Sequence, residues 1–172
     1  MTVLITGASG FIGSKLSERA IGAFDRIIGI IRAGSENSIL LPGVECRKVA
    51  SVDGSTDWSE ILDGVDTVVH CAAVAHGKLG DVRSVNVSGT ERLARQATEA
   101  GVRRFVFLSS IGVNGNISAH PFTEADAPSP AGLYAQSKWE AEQALWDIHR
   151  ETGMDIVIIR PPLVYGPDAP GN

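Results

Sequence analysis

"TGASGFIG", residues 6–13, places glycines at positions 7, 10 and 13 directly after the apolar run Val3-Leu4-Ile5. Glycine permits positive φ and lets another backbone or a ligand come close. Two readings use those properties: a tight turn between a strand and a helix, or a loop that cradles a phosphate. In the second, free backbone N–H groups and the dipole of the following helix favour a dinucleotide's pyrophosphate. The spacing is GxxGxxG, one residue longer than the GxGxxG of many dinucleotide sites. Gly7, Gly10, Phe11, Ile12 and Gly13 are the candidate phosphate loop.

The surrounding chain supplies the context that such a loop needs. Strands are expected at Thr2–Thr6, Arg26–Ile31, Glu45–Val49, Thr67–Cys71, Arg104–Ser109 and Asp155–Arg160. They are rich in Val, Ile and Phe and mostly apolar on both faces, as strands of a covered parallel sheet are. Between them, Ile12, Leu16 and Ala20 mark one helical face, and Leu93 with Ala97 marks another that ends at Gly101. "STDWSEILDG", residues 55–64, reads as a short capped helix, and a longer helix is expected from Leu133 to Thr152, stopped by Gly153. This alternation predicts an α/β, doubly wound parallel sheet with helices on both faces. Ligands of such sheets bind at the carboxyl ends of the strands, near the switch in strand order.

Bulk properties narrow the class. At 172 residues the chain fits one domain with a sizeable core, and 44% hydrophobic content suits a globular protein. A net charge of -5 gives no electrostatic reason to expect nucleic acid or an anionic membrane. "RIIGIIR" and "MDIVIIR" are too short to span a bilayer. A strand starting almost at residue 1 leaves no room for a signal peptide, so a cytoplasmic location is expected. Cys46, Cys71 and the scattered His70, His76, His120 and His149 show no metal-ligand spacing, and no metal is expected.

The second strand ends in Ile31-Arg32, without the acid that usually accepts the adenosine ribose hydroxyls. Arg32 pairs with a 2′-phosphate, stacks on adenine, or is simply solvated. "YAQSK" sets Tyr134 and Lys138 four apart, so both emerge on one helix face. An ammonium at ~4 Å, with an effective dielectric of ~20, attracts a phenolate by ~4 kcal/mol. That is enough to lower the phenol's pKa by roughly two to three before desolvation opposes it. Ser109 and Ser110 end the apolar run "RRFVFL" at the ligand-binding edge, where a serine hydroxyl can bond a substrate oxygen while Tyr134 moves its proton. Asn86 is expected to brace the backbone, and Trp139 and Trp146 to pack.

Together "TGASGFIG", "HCAA" at His70–Ala73, "NVSGT" at Asn86–Thr90, "FLSS", "YAQSK" and "RPPLVYGP" at Arg160–Pro167 resemble the extended short-chain dehydrogenase/reductase family, in its nucleotide-sugar epimerase and dehydratase branch. The motifs occur in the family's order and span nearly the whole chain. The resemblance implies a Rossmann-like fold and catalysis by Ser110, Tyr134 and Lys138, with Ser110 fitting the family serine better than Ser109. It implies that Tyr134 is the acid/base, that Lys138 binds the nicotinamide ribose and tunes Tyr134, and that Ala72 and Ala73 line the cofactor. NAD is the implied cofactor, with NADP as the alternative through Arg32. The implied partner is a small-molecule substrate, a nucleotide sugar, and a homodimer is compatible with it.

Departures from the family pattern shape the expectation. Ile111-Gly112 stands where the dehydratases carry Asp-Glu, which argues against water elimination. Leu163 stands where many epimerases have Asn, and Ser51 where an acid often meets adenine, although Asp53 is near. The expected activity is a nicotinamide-dependent sugar-nucleotide epimerase. The alternatives are an NADPH-dependent ketone reductase and a non-catalytic dinucleotide-binding regulatory module. Relatives continue past the position of Asn172 into a substrate-binding portion. The chain is thus expected to be the cofactor-binding part of a longer enzyme, inactive alone, with Tyr134 open to solvent.

Overall fold

β1 (Thr2–Thr6), β2 (Arg26–Arg32), β3 (Glu45–Val49), β4 (Thr67–His70), β5 (Arg104–Leu108) and β6 (Asp155–Ile159) pair side by side in a computed structural model that describes residues 1–34, 41–167 and 169. Every pairing is parallel, and the order is β3-β2-β1-β4-β5-β6. Each expected strand is present, with its end shifted by one residue at most. The chain runs outward from β1 to β3, returns beside β1 as β4, and runs outward again. This is a doubly wound, Rossmann-like sheet whose switch lies between β1 and β4.

The helices are α1 (Phe11–Ala20), α2 (Leu79–Arg83), α3 (Thr90–Glu99) and α4 (Leu133–Thr152). On one face of the sheet, Leu4, Ile28, Val68, Phe105 and Phe107 pack under Leu93 and Ala97 of α3 and Ala141, Leu145 and Ile148 of α4. On the other, Val3, Ile5, Ile27 and Ile31 pack against Ala20 and Leu16 of α1. α1 reaches only part of this second face. Val69 and Val106 are half-buried there, beside a shallow cavity of about 480 Å³ that Val3, Ile5 and Phe24 also line. No helix among the described residues is long and apolar enough to cross a membrane.

Two local expectations are corrected, and one feature is new. β3 is not apolar on both faces: Cys46, Arg47 and Lys48 are exposed, because β3 is an edge strand that charge keeps from pairing further. Residues 55–64 form turns rather than a helix. The Leu62 N–H bonds the Trp58 carbonyl at 2.9 Å, but the Trp58 N–H is taken by the Gln96 side chain at 2.8 Å, and Trp58 and Leu62 are both buried in the core. Gly64, at φ +68°, turns the chain out of helical geometry soon after this turn. Finally, residues Ser84–Gly89, between α2 and α3, widen into a π-helix. The loop after β3 lies so close that a Cβ on Gly89 would stand 2.5 Å from the Val52 carbonyl oxygen.

Candidate active site

The switch between β1 and β4 opens a crevice at the carboxyl ends of the strands, and the glycine loop forms its lip. Gly7 has φ +67°, and a Cβ there would stand 3.0 Å from the Ala72 nitrogen. A Cβ on Gly13 would come within 2.1 Å of the Gly7 carbonyl oxygen, so only glycine lets α1 approach the loop this closely. α1 begins at Phe11 with no side-chain cap and no acid in its first turn. The N–H groups of Phe11, Ile12 and Gly13 therefore lack intrahelical acceptors and form the positive end of the helix. The run after β6 returns to this lip, where a Cβ on Gly166 would lie 3.7 Å from the Phe11 ring.

The crevice floor is a closed hydrogen-bond chain around His70, which is fully buried. Thr90 Oγ1 donates to the Asn86 carbonyl at 2.7 Å, so it accepts from His70 Nε2 at 3.0 Å. His70 Nδ1 then accepts from Thr6 Oγ1 at 2.6 Å, and Thr6 Oγ1 accepts from the Ala72 N–H at 3.2 Å. Burial drives the histidine pKa from 6.5 down to about 3, with the Lys138 charge acting in the same direction. The neutral ring thus ties β1, β4 and α3 together and fixes Ala72 under the glycine loop. Asn86 completes the floor: it exchanges two hydrogen bonds with the Val74 backbone, at 2.8 and 2.9 Å, and donates to Ser137 Oγ at 2.9 Å. The π-helical widening belongs to the segment that carries Asn86, and the bracing expected of this residue is present.

α4 forms the wall. Lys138 is 1% exposed, with Nζ 4.2 Å from the centre of the Phe107 ring and 6.0 Å from that of Tyr134. No described residue accepts a hydrogen bond from its Nζ. Desolvation pulls its pKa from 10.5 to about 7, against the opposing influence of Cys71 and Glu142. Tyr134 is half-buried rather than open to solvent, and burial raises its phenol pKa. The expected depression of that pKa by Lys138 is therefore absent here: desolvation of the phenol outweighs an ammonium 6.0 Å from the ring centre. Ser110 caps the 3₁₀ turn Ile111–Val113 through its hydroxyl, which accepts the Gly112 N–H at 3.1 Å. That turn leans on α4, since a Cβ on Gly112 would lie 3.4 Å from Ala135 Cβ.

The structure thus gathers Gly7, Gly10, Phe11, Ile12, Gly13 and Ala72 at the lip and floor, and Ser110, Tyr134 and Lys138 along the wall. Ala73 follows Ala72 and is exposed. Arg32 stands apart, exposed at the end of β2. Asp53 is occupied locally, its carboxylate accepting from Ser55 N and Oγ at 2.8 and 2.6 Å. Sequence reading missed Glu142, which is 0% exposed and accepts from Ser109 Oγ and from Arg160. A signal existed: Glu142 is the acid on the α4 face that carries Tyr134 and Lys138 at intervals of four, beside apolar Ala141 and Leu145.

The model of the NAD dependent epimerase/dehydratase family matches residues 3–172. The chain belongs to this family. It is 37% identical over 182 residues to UDP-glucose 4-epimerase of Vibrio cholerae, covering 99% of this chain and 54% of the relative. It is 33% identical to N-acetyl-alpha-D-glucosaminyl-diphospho-ditrans,octacis-undecaprenol 4-epimerase of Escherichia coli O157:H7, covering 99% of this chain and 51% of the relative. Among solved structures, UDP-glucuronic acid 4-epimerase from Bacillus cereus in complex with NAD superposes with a TM-score of 0.86 at 27% identity, covering 98% of this chain and 59% of that one. The chain spans about half the length of the curated family members it matches.

Proposed function

We propose that this chain carries the cofactor-binding and proton-transfer elements of an NAD-dependent sugar-nucleotide epimerase. The observation that carries the reading is Lys138, a buried side chain with no hydrogen-bond acceptor among the described residues, facing the crevice on the helix that holds Tyr134. The Lys138 Nζ is not one of the fully enclosed unpartnered atoms, which among the described residues are Trp58 Nε1 and Glu140 Oε2. The amine therefore reaches a surface where a ligand can supply the acceptor it lacks. The glycine loop fits the same ligand, because a Cβ at Gly13 would occupy space the loop has closed around. Family relatives that act on nucleotide sugars, and the structure solved with NAD, support the choice of ligand.

In this reading the free N–H groups of Phe11, Ile12 and Gly13 would hold the pyrophosphate, the Gly10 N–H being spent on the Gly7 carbonyl at 2.9 Å. Ala72 and Ala73 would line the dinucleotide, and Lys138 would bond the nicotinamide ribose. NAD, when bound, accepts a hydride from the sugar and returns it. Tyr134, as the phenolate, takes the proton from the sugar hydroxyl on its phenolic oxygen and later gives it back. Ser110 donates a hydrogen bond to the same sugar oxygen. For Tyr134 to act as a base, the Lys138 ammonium must offset the desolvation that now raises the phenol's pKa. The turn after Ser110 offers Ile111 and Gly112 and no carboxylate, which favours epimerisation over water elimination.

The test uses the full-length protein with a panel of UDP- and GDP-sugars, following product stereochemistry and net nicotinamide consumption together. Epimerisation without net consumption, abolished in Tyr134→Phe while NAD still binds, is expected. Net oxidation of NAD(P)H would make the protein a reductase. Full turnover by Tyr134→Phe would remove this mechanism.

A further inference from the structure

We propose that Glu142 is a positioning residue for this site: its buried carboxylate locks the ends of β5 and β6 against α4 and supplies the negative charge that keeps Lys138 an ammonium. The proposal rests on the function proposed above.

The geometry comes first. Glu142 Oε1 accepts from Ser109 Oγ and, at 3.0 Å, from Arg160 Nε, while Oε2 accepts from Arg160 Nη2. Arg160 Nη1 donates to Asn114 Oδ1 at 3.1 Å, and the guanidinium lies 5.8 Å over the Trp139 ring. Ser109 immediately precedes Ser110, and Asn114 closes the 3₁₀ turn that Ser110 caps. The backbone repeats the link, with the Ser109 N–H on the Ile159 carbonyl at 2.7 Å and the Ile111 N–H on Pro161 at 3.0 Å. One carboxylate therefore reaches the residue before Ser110, the turn after it, and the strand beside it. Charge-assisted bonds of this kind are the strong ones, and they hold three elements whose meeting defines the site.

The electrostatics follow. Glu142 lies one helical turn beyond Lys138. The other groups facing Lys138 carry no negative charge near neutral pH. His70, on β4, is neutral because burial depresses its pKa to about 3. Cys71, after β4, is a thiol because burial raises its pKa to about 11. Tyr134, on α4, is a phenol because burial raises its pKa too. Arg160, after β6, is a cation paired with the Glu142 carboxylate and so offsets part of the charge that reaches Lys138. Glu142 is left as the anion that opposes desolvation of the ammonium.

The experiment measures NAD affinity against pH in the full-length protein by titration calorimetry, with thermal melts to confirm folding. Affinity in the wild type is expected to fall on the alkaline side as Lys138 loses its proton, and Lys138→Met removes that limb. Glu142→Gln moves the limb to lower pH by about one unit or more. Arg160→Gln moves it the other way, because the offsetting cation is gone. A purely structural role would not move the limb in opposite directions. A limb that is present in the wild type, absent in Lys138→Met and unmoved in folded Glu142→Gln overturns this proposal alone. Identical profiles for wild type and Lys138→Met overturn both it and the reading of the site. If Glu142→Gln does not fold, Arg160→Gln decides, and a limb that stays in place overturns the proposal.

Discussion

The floor and the wall of the crevice each bury an ionisable side chain, yet the two are treated in opposite ways. On the floor, both ring nitrogens of His70 are bonded to threonine hydroxyls whose own protons and lone pairs are accounted for. On the wall, Lys138 is as deeply buried and bonds nothing that is described. A satisfied buried group rigidifies its surroundings, whereas an unsatisfied one is a standing cost. The floor serves the fold, and the wall, on the function proposed above, serves a ligand.

The largest effect should come from Lys138→Met, which separates function from stability. NAD affinity and turnover are expected to fall by about a hundredfold or more. Stability in urea at neutral pH should rise by about 1–2 kcal/mol, because a costly buried ammonium is replaced by an apolar side chain of similar length. A loss of stability would break the comparison by showing that Lys138 also serves the fold.

His70→Leu should do the reverse. It leaves the Thr6 hydroxyl proton without an acceptor and Thr90 Oγ1 without its donor in the core, and the expected loss is about 2–4 kcal/mol of stability. NAD affinity of the folded protein should change less than about tenfold, as read by calorimetry below the melting transition. A larger change would move His70 from the floor into the binding site.

Titration sharpens the contrast, because the two groups act in separate windows with the same sign. Each is harder to protonate folded than unfolded, so the unfolded state binds the extra proton and stability rises with pH. For His70 the rise spans about pH 3 to 6.5. For Lys138 it spans about pH 7 to 10.5. Within each window one such group contributes about 1.4 kcal/mol per pH unit. Urea unfolding should show a shallower slope in His70→Leu between about pH 4.5 and 6.5, above the carboxylates whose lowered pKa values act with the same sign. In Lys138→Met the slope should be shallower between about pH 7 and 9, below the range where the raised Cys71 pKa acts with the opposite sign. Slopes unchanged by the matching substitution would show that neither pKa is set by burial at these sites.

Arg32→Ala should have the smallest effect. The side chain is exposed at the end of β2, away from both floor and wall. NADP affinity is expected to fall about tenfold or less, and NAD affinity by less than that, since an exposed charge is screened by water. Parallel titration of both cofactors checks this, and a hundredfold loss of NADP binding would place Arg32 on the 2′-phosphate.

The six strands, the glycine loop and both ends of α4 were legible in the amino-acid pattern. These depend on neighbours a few residues apart: apolar runs of β-branched residues, glycines spaced by three, and Gly153, which ends α4 at φ +76°. It also brought Ser110, Tyr134 and Lys138 forward, through motif order and the helical spacing of four. Only the tertiary structure decided which polar groups were buried and what satisfied them. Thr6 and His70 are 64 residues apart, Asn86 and Ser137 are 51 apart, and Ser109 and Glu142 are 33 apart. No local periodicity records such partners. The turns at residues 55–64 are likewise held from a distance, the Gln96 side chain accepting the N–H of Trp58 from 38 residues away. Burial likewise lowers the pKa of Lys138 and raises that of Tyr134, because desolvation depends on what the whole fold packs around a side chain rather than on its neighbours in the chain.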